Sequence, residues 1–250
     1  MRLDQVKTIG MLGGGVMGGG IAQILSIAGY NVVVRDLNDE LVANTRGEVF
    51  EGKWGMKNAV VRGKLAADAC EAAMARVSFT TDLKDLANVD FLIEAIPEKL
   101  ELKQAVFKEL DEIVKPDAIF ASNTSGFVIQ EIARDVSDAR KQRFVGMHFS
   151  NPVPVMKICE VITTPQSTPE TVEAAVGIAE KAGRVVAMVK DTPGSYGFIF
   201  NRIFAAARRE ADKLVEEGIA TKEDIDKAMI HGRNWPVGFY QQRGGIGKQW

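Results

Sequence analysis

The sequence predicts an α/β protein in which a mainly parallel sheet domain is followed by a smaller, shortened domain that is all helical. Up to about residue 190, short apolar runs typical of strands alternate with stretches whose apolar residues recur at helical spacing. That alternation is the pattern of a parallel sheet covered by helices. No strand pattern recurs after Asp191. We therefore expect one domain at 1–192 and a helical carboxyl-terminal domain at 193–250.

The composition is that of an ordinary globular protein, and its charge balance argues against some classes of binding partner. Of the 250 residues, 46% are hydrophobic and 26% are charged, and the formal net charge of -2 gives no general attraction to nucleic acid or to an anionic membrane. Cys70 and Cys159 lack the spacing of a metal site, which indicates a reducing compartment and no bound metal. No apolar run is long enough to span a bilayer, so we expect a cytoplasmic protein.

The first predicted strand, at 6–12, runs into a glycine-rich loop that opens a helix. Gly13, Gly15 and Gly18 fit the pattern G-x-G-x-x-G. The first glycine permits a tight turn, the second lets a pyrophosphate approach the backbone, and the third lets the helix pack on the strand. The free N–H groups at the start of the helix favour phosphate. The candidate cofactor-binding residues of this loop are Gly13, Gly15, Val16, Met17 and Gly18.

A second strand, at 31–35, leads into Asp36, about 20 residues after the glycine loop, which is the spacing of a dinucleotide-binding βαβ unit. An acid there accepts hydrogen bonds from the ribose hydroxyls and repels a 2′-phosphate, which favours NAD over NADP. An arginine can accept a 2′-phosphate, and Arg35 is adjacent, but neighbouring residues of a strand point to opposite faces. We therefore predict a Rossmann-type domain that binds NAD.

The middle of the chain continues the alternation of helices and strands. Residues 37–75 have a mainly helical pattern, interrupted at Gly63, and they carry a basic cluster of Lys53, Lys57, Arg62 and Lys64. This cluster is either a solvated helical face or a patch for an anionic ligand such as a phosphorylated carrier. Strands are expected at 77–80, 90–95 and 118–121, and a helix at 100–114.

Ligands of parallel sheets bind at the carboxyl ends of the strands, and three features fall there. They are the glycine loop, the segment from Glu94 to Glu98, and the turn from Ser122 to Ser125. Hydroxyl groups in such a turn can hydrogen-bond a ligand, or they can cap a helix that begins near Phe127. Both interpretations of the turn stay open.

His148, one of only two histidines, lies in a predicted strand, turn and second strand. Apolar residues lead into it, the turn contains the Asn151-Pro152 step, and Glu160 follows on the second strand. Such a hairpin can bring the imidazole and the carboxylate together, and a carboxylate holds a histidine in one tautomer as a general base. The alternative is a surface hairpin with an unrelated histidine and glutamate.

The rest of the chain is expected to be mainly helical. The pattern predicts a helix at 168–182, a last strand at 185–189 and a long amphipathic helix at 198–217. Thr221 with Asp224 is expected to open another helix, through Ile230.

Seven motifs together resemble one family. They are GGGVMGGGIAQ, IEAIPEKLELK, ASNTS, GMHFSNPVPVMKICEVI, KDTPG, FIFNR and EEGIATKEDIDKAM. In this order, over nearly the whole chain, they resemble the 3-hydroxyacyl-CoA dehydrogenases, also called 3-hydroxybutyryl-CoA dehydrogenases, of fatty-acid β-oxidation and butanoate metabolism. The resemblance implies NAD-dependent oxidation of (S)-3-hydroxyacyl-CoA to 3-oxoacyl-CoA and the reverse, an acyl-CoA substrate, and a homodimer.

The resemblance also implies roles for single residues. His148 would take the proton of the substrate 3-hydroxyl while hydride passes to the nicotinamide, and Glu160 would orient the imidazole. Ser125 and Asn201 would hydrogen-bond the substrate oxygen and the catalytic groups. Besides the glycine loop and Asp36, the resemblance implies cofactor contacts at Glu94, Glu98, Lys103, Ser125 and Asn151. The implied contacts with the CoA phosphates are Lys64 and Lys57.

The chain departs from the family pattern at Ser150, where a second phenylalanine is usual, and typical members carry further helices after the position of Trp250. Two other functions stay open. One is a related dehydrogenase that acts on a free hydroxy acid, and the pairing of His148 with Glu160 and the basic cluster argue for the CoA ester instead. The other is a non-catalytic NAD-binding protein of the kind found among lens crystallins. The joint presence of the four candidate catalytic residues argues against it, namely His148, Glu160, Ser125 and Asn201.

Overall fold

The computed structural model describes residues 1–193 and 197–241. The chain divides into two compact units, Met1–Gly194 and Ser195–Trp250. Within the described ranges, no helix combines the length and the apolar composition that crossing a lipid bilayer requires.

An eight-stranded sheet is the centre of the first unit. Its strands are β1 (Thr8–Leu12), β2 (Asn31–Arg35), β3 (Val77–Thr80), β4 (Phe91–Glu94), β5 (Ile119–Ser122), β6 (Phe144–Phe149), β7 (Ile158–Thr163) and β8 (Val185–Lys190). They lie in the order β3-β2-β1-β4-β5-β6-β7-β8, and every neighbouring pair is parallel except β6 and β7. The mainly parallel sheet of a Rossmann-type fold, predicted from the sequence, is confirmed.

The helices alternate with these strands and then continue alone. They are α1 (Val16–Ile27), α2 (Asp39–Glu51), α3 (Met56–Val61), α4 (Ala67–Ala75), α5 (Leu100–Ile113), α6 (Ile129–Ile132), α7 (Asp138–Lys141), α8 (Pro169–Lys181), α9 (Phe200–Glu216) and α10 (Lys222–Arg233). Local signals start several of them. The side chains of Asn38, Thr168 and Thr221 accept backbone N–H groups at the starts of α2, α8 and α10.

The middle strands are covered on both faces. β4, β5 and β6 are buried along their whole lengths, which is why their sequences are continuous apolar runs without alternation. On one face, residues of α1 and α8 join the strands in the main apolar core. On the other face, the ring of Phe107 on α5 lies 5.7 Å from that of Phe120 and 4.7 Å from that of Phe144.

The sheet order places the predicted functional segments side by side. β1, β4, β5 and β6 are adjacent and parallel. The glycine loop, Glu94, Ser122 and His148 therefore come to the same carboxyl edge of the sheet. β7 runs in the opposite direction, and its Glu160 is the direct partner of His148.

The helical stretch predicted at 37–75 consists of three helices. The predicted break at Gly63 is confirmed, because α3 ends at Val61 and Gly63 has a φ of 66°. A further break separates α2 from α3 at Gly55. A Cβ there would lie 2.9 Å from the carbonyl oxygen of Glu48, so the close approach of these backbones requires glycine.

The short helix α6 is capped from a distant part of the chain. Asp191 accepts the N–H groups of Ile129 at 3.0 Å and Gln130 at 2.9 Å. No side chain caps α6 at its own N-cap position, and Thr124 Oγ1 instead accepts the N–H of Phe127 at 3.0 Å. The interpretation of the hydroxyl-rich turn as a helix cap is therefore wrong for α6.

The second unit is helical in its described residues, 197–241. Ala211, Ile225 and Phe239 form its buried core, with the rings of Phe204 and Trp235 stacked beside them at 6.4 Å. Both helices predicted for this unit are present as α9 and α10.

Candidate active site

His148 and Glu160 are directly opposed on β6 and β7. Paired residues of an antiparallel ladder share a face, so their side chains meet. Nδ1 of His148 lies 2.7 Å from Oε2 of Glu160. His148 is 6% exposed and Glu160 is 2% exposed. An ionised carboxylate accepts the proton on Nδ1, which leaves Nε2 as the basic nitrogen of the imidazole.

Of the three motif glycines in the loop between β1 and α1, only one has open space beside it for a ligand. Gly13 has a φ of 88°, and a Cβ on Gly18 would lie 1.8 Å from the carbonyl oxygen of Gly13. Neither position tolerates a side chain. A Cβ on Gly15 would meet no atom within 4 Å, so the backbone there faces open space at the start of α1. This arrangement fits a dinucleotide, whose phosphates bind the free N–H groups of the helix.

Asp36 follows β2 and is bound to the same loop. Its Oδ2 accepts the N–H of Gly14 at 2.8 Å, and its Oδ1 accepts the N–H of Leu37 at 2.7 Å. Each oxygen keeps a further lone pair for a ribose hydroxyl. Thr45 on α2 donates from Oγ1 to the carbonyl oxygen of Gly14 at 2.8 Å. Sequence reasoning missed Thr45, because it lies 31 residues from the loop and belongs to no local pattern.

A cavity of about 290 Å³ lies against the glycine loop. Four of the predicted cofactor residues line it, namely Gly15, Val16, Asp36 and Asn151. Met17 does not line it and packs partly against the apolar core. The structure thus brings the loop, the acid after β2 and the segment after β6 together around one space.

Glu94, Glu98 and Lys103 form a charged cluster at the ends of β4 and β5. Nζ of Lys103 lies 2.5 Å from Oε1 of Glu94 and 3.2 Å from Oε2 of Glu98. Burial raises the pKa of Glu94, whereas the ammonium of Lys103, the hydroxyl of Ser122 and the N–H of Ile96 favour its ionised form. The side chains of Glu94 and Lys103 are 0% and 1% exposed, and that of Glu98 is 32% exposed. Glu98 is therefore the member of the cluster that can touch a ligand.

The turn that carries Ser125 is held from two sides. Oε1 of Glu98 accepts from Thr124 Oγ1 at 2.6 Å and from the N–H of Ser125 at 2.9 Å. Oδ1 of Asn123 accepts the N–H of Phe149 at 2.9 Å. The half-buried Ser125 is thereby fixed between the charged cluster and the strand of His148. Sequence reasoning missed Asn123, because nothing local distinguishes it from the other polar residues of the turn.

The remaining predicted residues have different surroundings. Lys57 on α3 forms an exposed ion pair with Glu51, with Nζ 2.6 Å from Oε1. Lys64 lines a cavity of about 580 Å³ whose described lining contains Arg62, Lys157 and Arg184 and no acidic residue. Asn201 lies in the first turn of α9, in the second unit.

The sequence matches the family model described as "3-hydroxyacyl-CoA dehydrogenase, NAD binding domain" over residues 8–192 and "3-hydroxyacyl-CoA dehydrogenase, C-terminal domain" over residues 197–247. It is 42% identical over 229 residues to the "Probable 3-hydroxybutyryl-CoA dehydrogenase" of Deinococcus radiodurans, covering 92% of this chain and 79% of that protein. It is 38% identical over 239 residues to the "Hydroxyacyl-coenzyme A dehydrogenase, mitochondrial" of Homo sapiens, covering 94% of this chain and 74% of that protein. The fold is similar to the crystal structure of (S)-3-hydroxybutyryl-CoA dehydrogenase from Ralstonia eutropha, with a TM-score of 0.86 and 36% identity, covering 94% of this chain and 80% of that chain.

Proposed function

The chain belongs to the 3-hydroxyacyl-CoA dehydrogenase family of NAD-dependent enzymes, and from this premise we propose that it interconverts an (S)-3-hydroxyacyl-CoA, such as 3-hydroxybutyryl-CoA, and the 3-oxoacyl-CoA, within β-oxidation or butanoate metabolism. The contact of His148 with Glu160 carries this proposal, because it lies at the sheet edge that also carries the glycine loop. Such a reaction needs a group that takes the hydroxyl proton beside a site for the hydride acceptor.

His148 and Glu160 are the proposed acid/base pair. In oxidation, Nε2 of His148 takes the proton of the substrate 3-hydroxyl, and Glu160 holds the Nδ1–H and stabilises the imidazolium that forms. Bound NAD supplies the hydride acceptor. In reduction the imidazolium returns the proton to the 3-oxygen. Because both side chains are buried, little water competes for this proton.

We propose that the residues around the 290 Å³ cavity hold the cofactor. The loop from Gly13 to Gly18 would take the pyrophosphate, Asp36 the ribose and Asn151 the side nearer His148. Glu98, which lies outside the described lining of the cavity, would contact the cofactor on that side as well. Glu94 and Lys103 are buried, so their proposed part in cofactor binding runs through Glu98 and the turn that it holds.

The proposed substrate contacts involve the residues that the family resemblance assigned to the substrate. The Ser125 hydroxyl is proposed to hydrogen-bond the substrate oxygen and lies on the turn tied to the strand of His148. The proposal for Asn201 rests on the FIFNR motif alone. Lys64 lines a cavity without acidic residues, which favours CoA phosphate groups. The carboxylate of Glu51 partly offsets the charge of Lys57, so Lys64 is the stronger candidate.

A comparison of acetoacetyl-CoA with free acetoacetate tests this function. We expect kcat/KM for NADH-dependent reduction to be at least about 100-fold higher for the CoA ester, because the remote CoA portion contributes binding energy to the transition state. The decrease in NADH absorbance measures both rates. A preference for acetoacetate would indicate a dehydrogenase of free hydroxy acids. If neither compound were reduced while NADH still bound, a non-catalytic NAD-binding protein would be the better account.

We also propose that the protein forms a homodimer. Ile203 on α9 and Ile219 after it are each 64% exposed, and a dimer interface that buried both would remove this apolar surface from water. Light scattering after size exclusion is expected to give about twice the mass of one chain at micromolar concentration, and the mass of a single chain would contradict this.

A further inference from the structure

Asn123, the residue after β5, has one end of its side-chain amide fixed by the strand of His148. The backbone N–H of Phe149 donates to Oδ1 of Asn123 at 2.9 Å. A backbone N–H can only donate, so the amide atom that faces it must be the oxygen. This contact therefore sets the orientation of the whole amide, and Nδ2 is its other terminal atom.

The Nδ2 donor of Asn123 has no hydrogen-bond partner in the part of the chain that the structure describes. Asn123 as a residue is only 8% exposed. In the described ranges, every side-chain nitrogen or oxygen that is fully buried has a partner. Nδ2 therefore keeps access to open space. A nearly buried donor of this kind is stabilised when a ligand oxygen or a water accepts from it.

The place of Asn123 in the sheet indicates which ligand this is. The glycine loop follows β1 and the base lies on β6, with β4 and β5 between them. A dinucleotide with its pyrophosphate on the loop reaches the base only across the ends of β4 and β5. At the end of β4, Glu94 is bound by Lys103 and Ser122. At the end of β5, Asn123 offers a free donor.

We propose that Nδ2 of Asn123 donates a hydrogen bond to the carboxamide oxygen of the bound nicotinamide and so orients the ring toward the substrate. This inference rests on the proposed function. The carboxamide oxygen is a neutral acceptor close to the reacting carbon of the ring, whereas the substrate oxygen is already assigned to His148 and Ser125. Since Phe149 is the next residue after His148, one side chain then fixes the ring relative to the base.

The variant Asn123→Asp tests the two ends of the amide separately. Aspartate keeps an oxygen that can accept the N–H of Phe149, and it lacks the Nδ2 donor. We expect the Kd for NADH, measured by its fluorescence, to rise about 3- to 10-fold, which is the loss of one hydrogen bond. The Kd for ADP-ribose, measured by calorimetry, should stay unchanged, because ADP-ribose has both phosphates and lacks the nicotinamide. Asn88→Asp carries the same charge change on an exposed turn before β4 and should alter neither constant.

Two results would overturn the inference. One is an unchanged Kd for NADH in Asn123→Asp, since the amide would then act only through Oδ1 on Phe149. The other is an equal loss of NADH and ADP-ribose binding, since the added charge or a displaced turn would then explain the effect. Turnover of acetoacetyl-CoA by the wild-type protein tests the proposed reaction separately. An inactive wild-type protein in which Asn123→Asp weakens NADH alone would contradict the reaction and support the contact.

Discussion

Replacing His148 with glutamine is expected to lower the turnover of acetoacetyl-CoA by about 100- to 10,000-fold, the usual contribution of a positioned acid or base. Glutamine can still donate a hydrogen bond to Glu160, so the contact that measures 2.7 Å in the wild-type protein has a substitute. An amide cannot take or return a proton near neutral pH. NADH binding should stay near the wild-type value, because the glycine loop and Asp36 are unchanged. The decrease in NADH absorbance with time gives the turnover, and NADH fluorescence gives the Kd for NADH.

The other histidine provides a matched control for this substitution. His231 lies exposed in the last turn of α10, and His231→Gln is expected to leave turnover unchanged. Glu160→Gln should reproduce much of the loss in His148→Gln, because an amide N–H facing Nδ1 favours the tautomer whose proton is on Nε2. If His148→Gln kept wild-type turnover, another group would be the base and the central element of the proposed mechanism would be wrong.

The sequence predicted the parts of the site that depend on local spacing. The glycine loop and Asp36 belong to one βαβ unit, so their separation along the chain already specifies their proximity. His148 and Glu160 are joined by a single hairpin, which made their meeting a reasonable expectation. The register is a separate matter, because a slip of one residue would turn the glutamate to the other face of the sheet. The structure supplies that register by pairing the two residues directly.

Contacts across the sheet could not be predicted in this way. Asn123 and Phe149 are 26 residues apart, Ser122 and Glu94 are 28 apart, and Asp191 lies 62 residues from Ile129. The first two contacts exist because neighbouring parallel strands are joined through helices and return side by side, and the third joins the residue after β8 to the start of α6. Neither hydrophobic periodicity nor motif spacing records which polar atoms then face each other. Lys103 is a different case, because Glu94 and Glu98 are near it in the chain, and only the structure shows that its side chain is buried against both.

Replacing Lys103 with methionine is expected to destabilise the fold by about 3–5 kcal/mol, the usual cost of leaving a buried charge without its partner. Methionine has a similar length and fills the same space, so packing changes little. Glu94, whose side chain is 0% exposed, then loses the ammonium that lies 2.5 Å from its Oε1. The hydroxyl of Ser122 and the N–H of Ile96 remain, but neither carries a compensating charge. Urea unfolding followed by circular dichroism measures the difference in the free energy of unfolding.

The pH dependence and a double variant identify the cause of this loss. Burial already raises the pKa of Glu94, and removal of the ammonium raises that pKa further. A folded-state pKa above the unfolded one means that the folded protein binds the proton more readily, so stability falls as pH rises. The loss of unfolding free energy in Lys103→Met should therefore become smaller as the pH is lowered from about 8 to about 5. Glu94→Gln combined with Lys103→Met removes both charges and should recover most of the lost stability at pH 8. If the double variant were no more stable than Lys103→Met, the lysine would not be the counter-charge of Glu94, and the loss of its contact with Glu98 would become the better explanation.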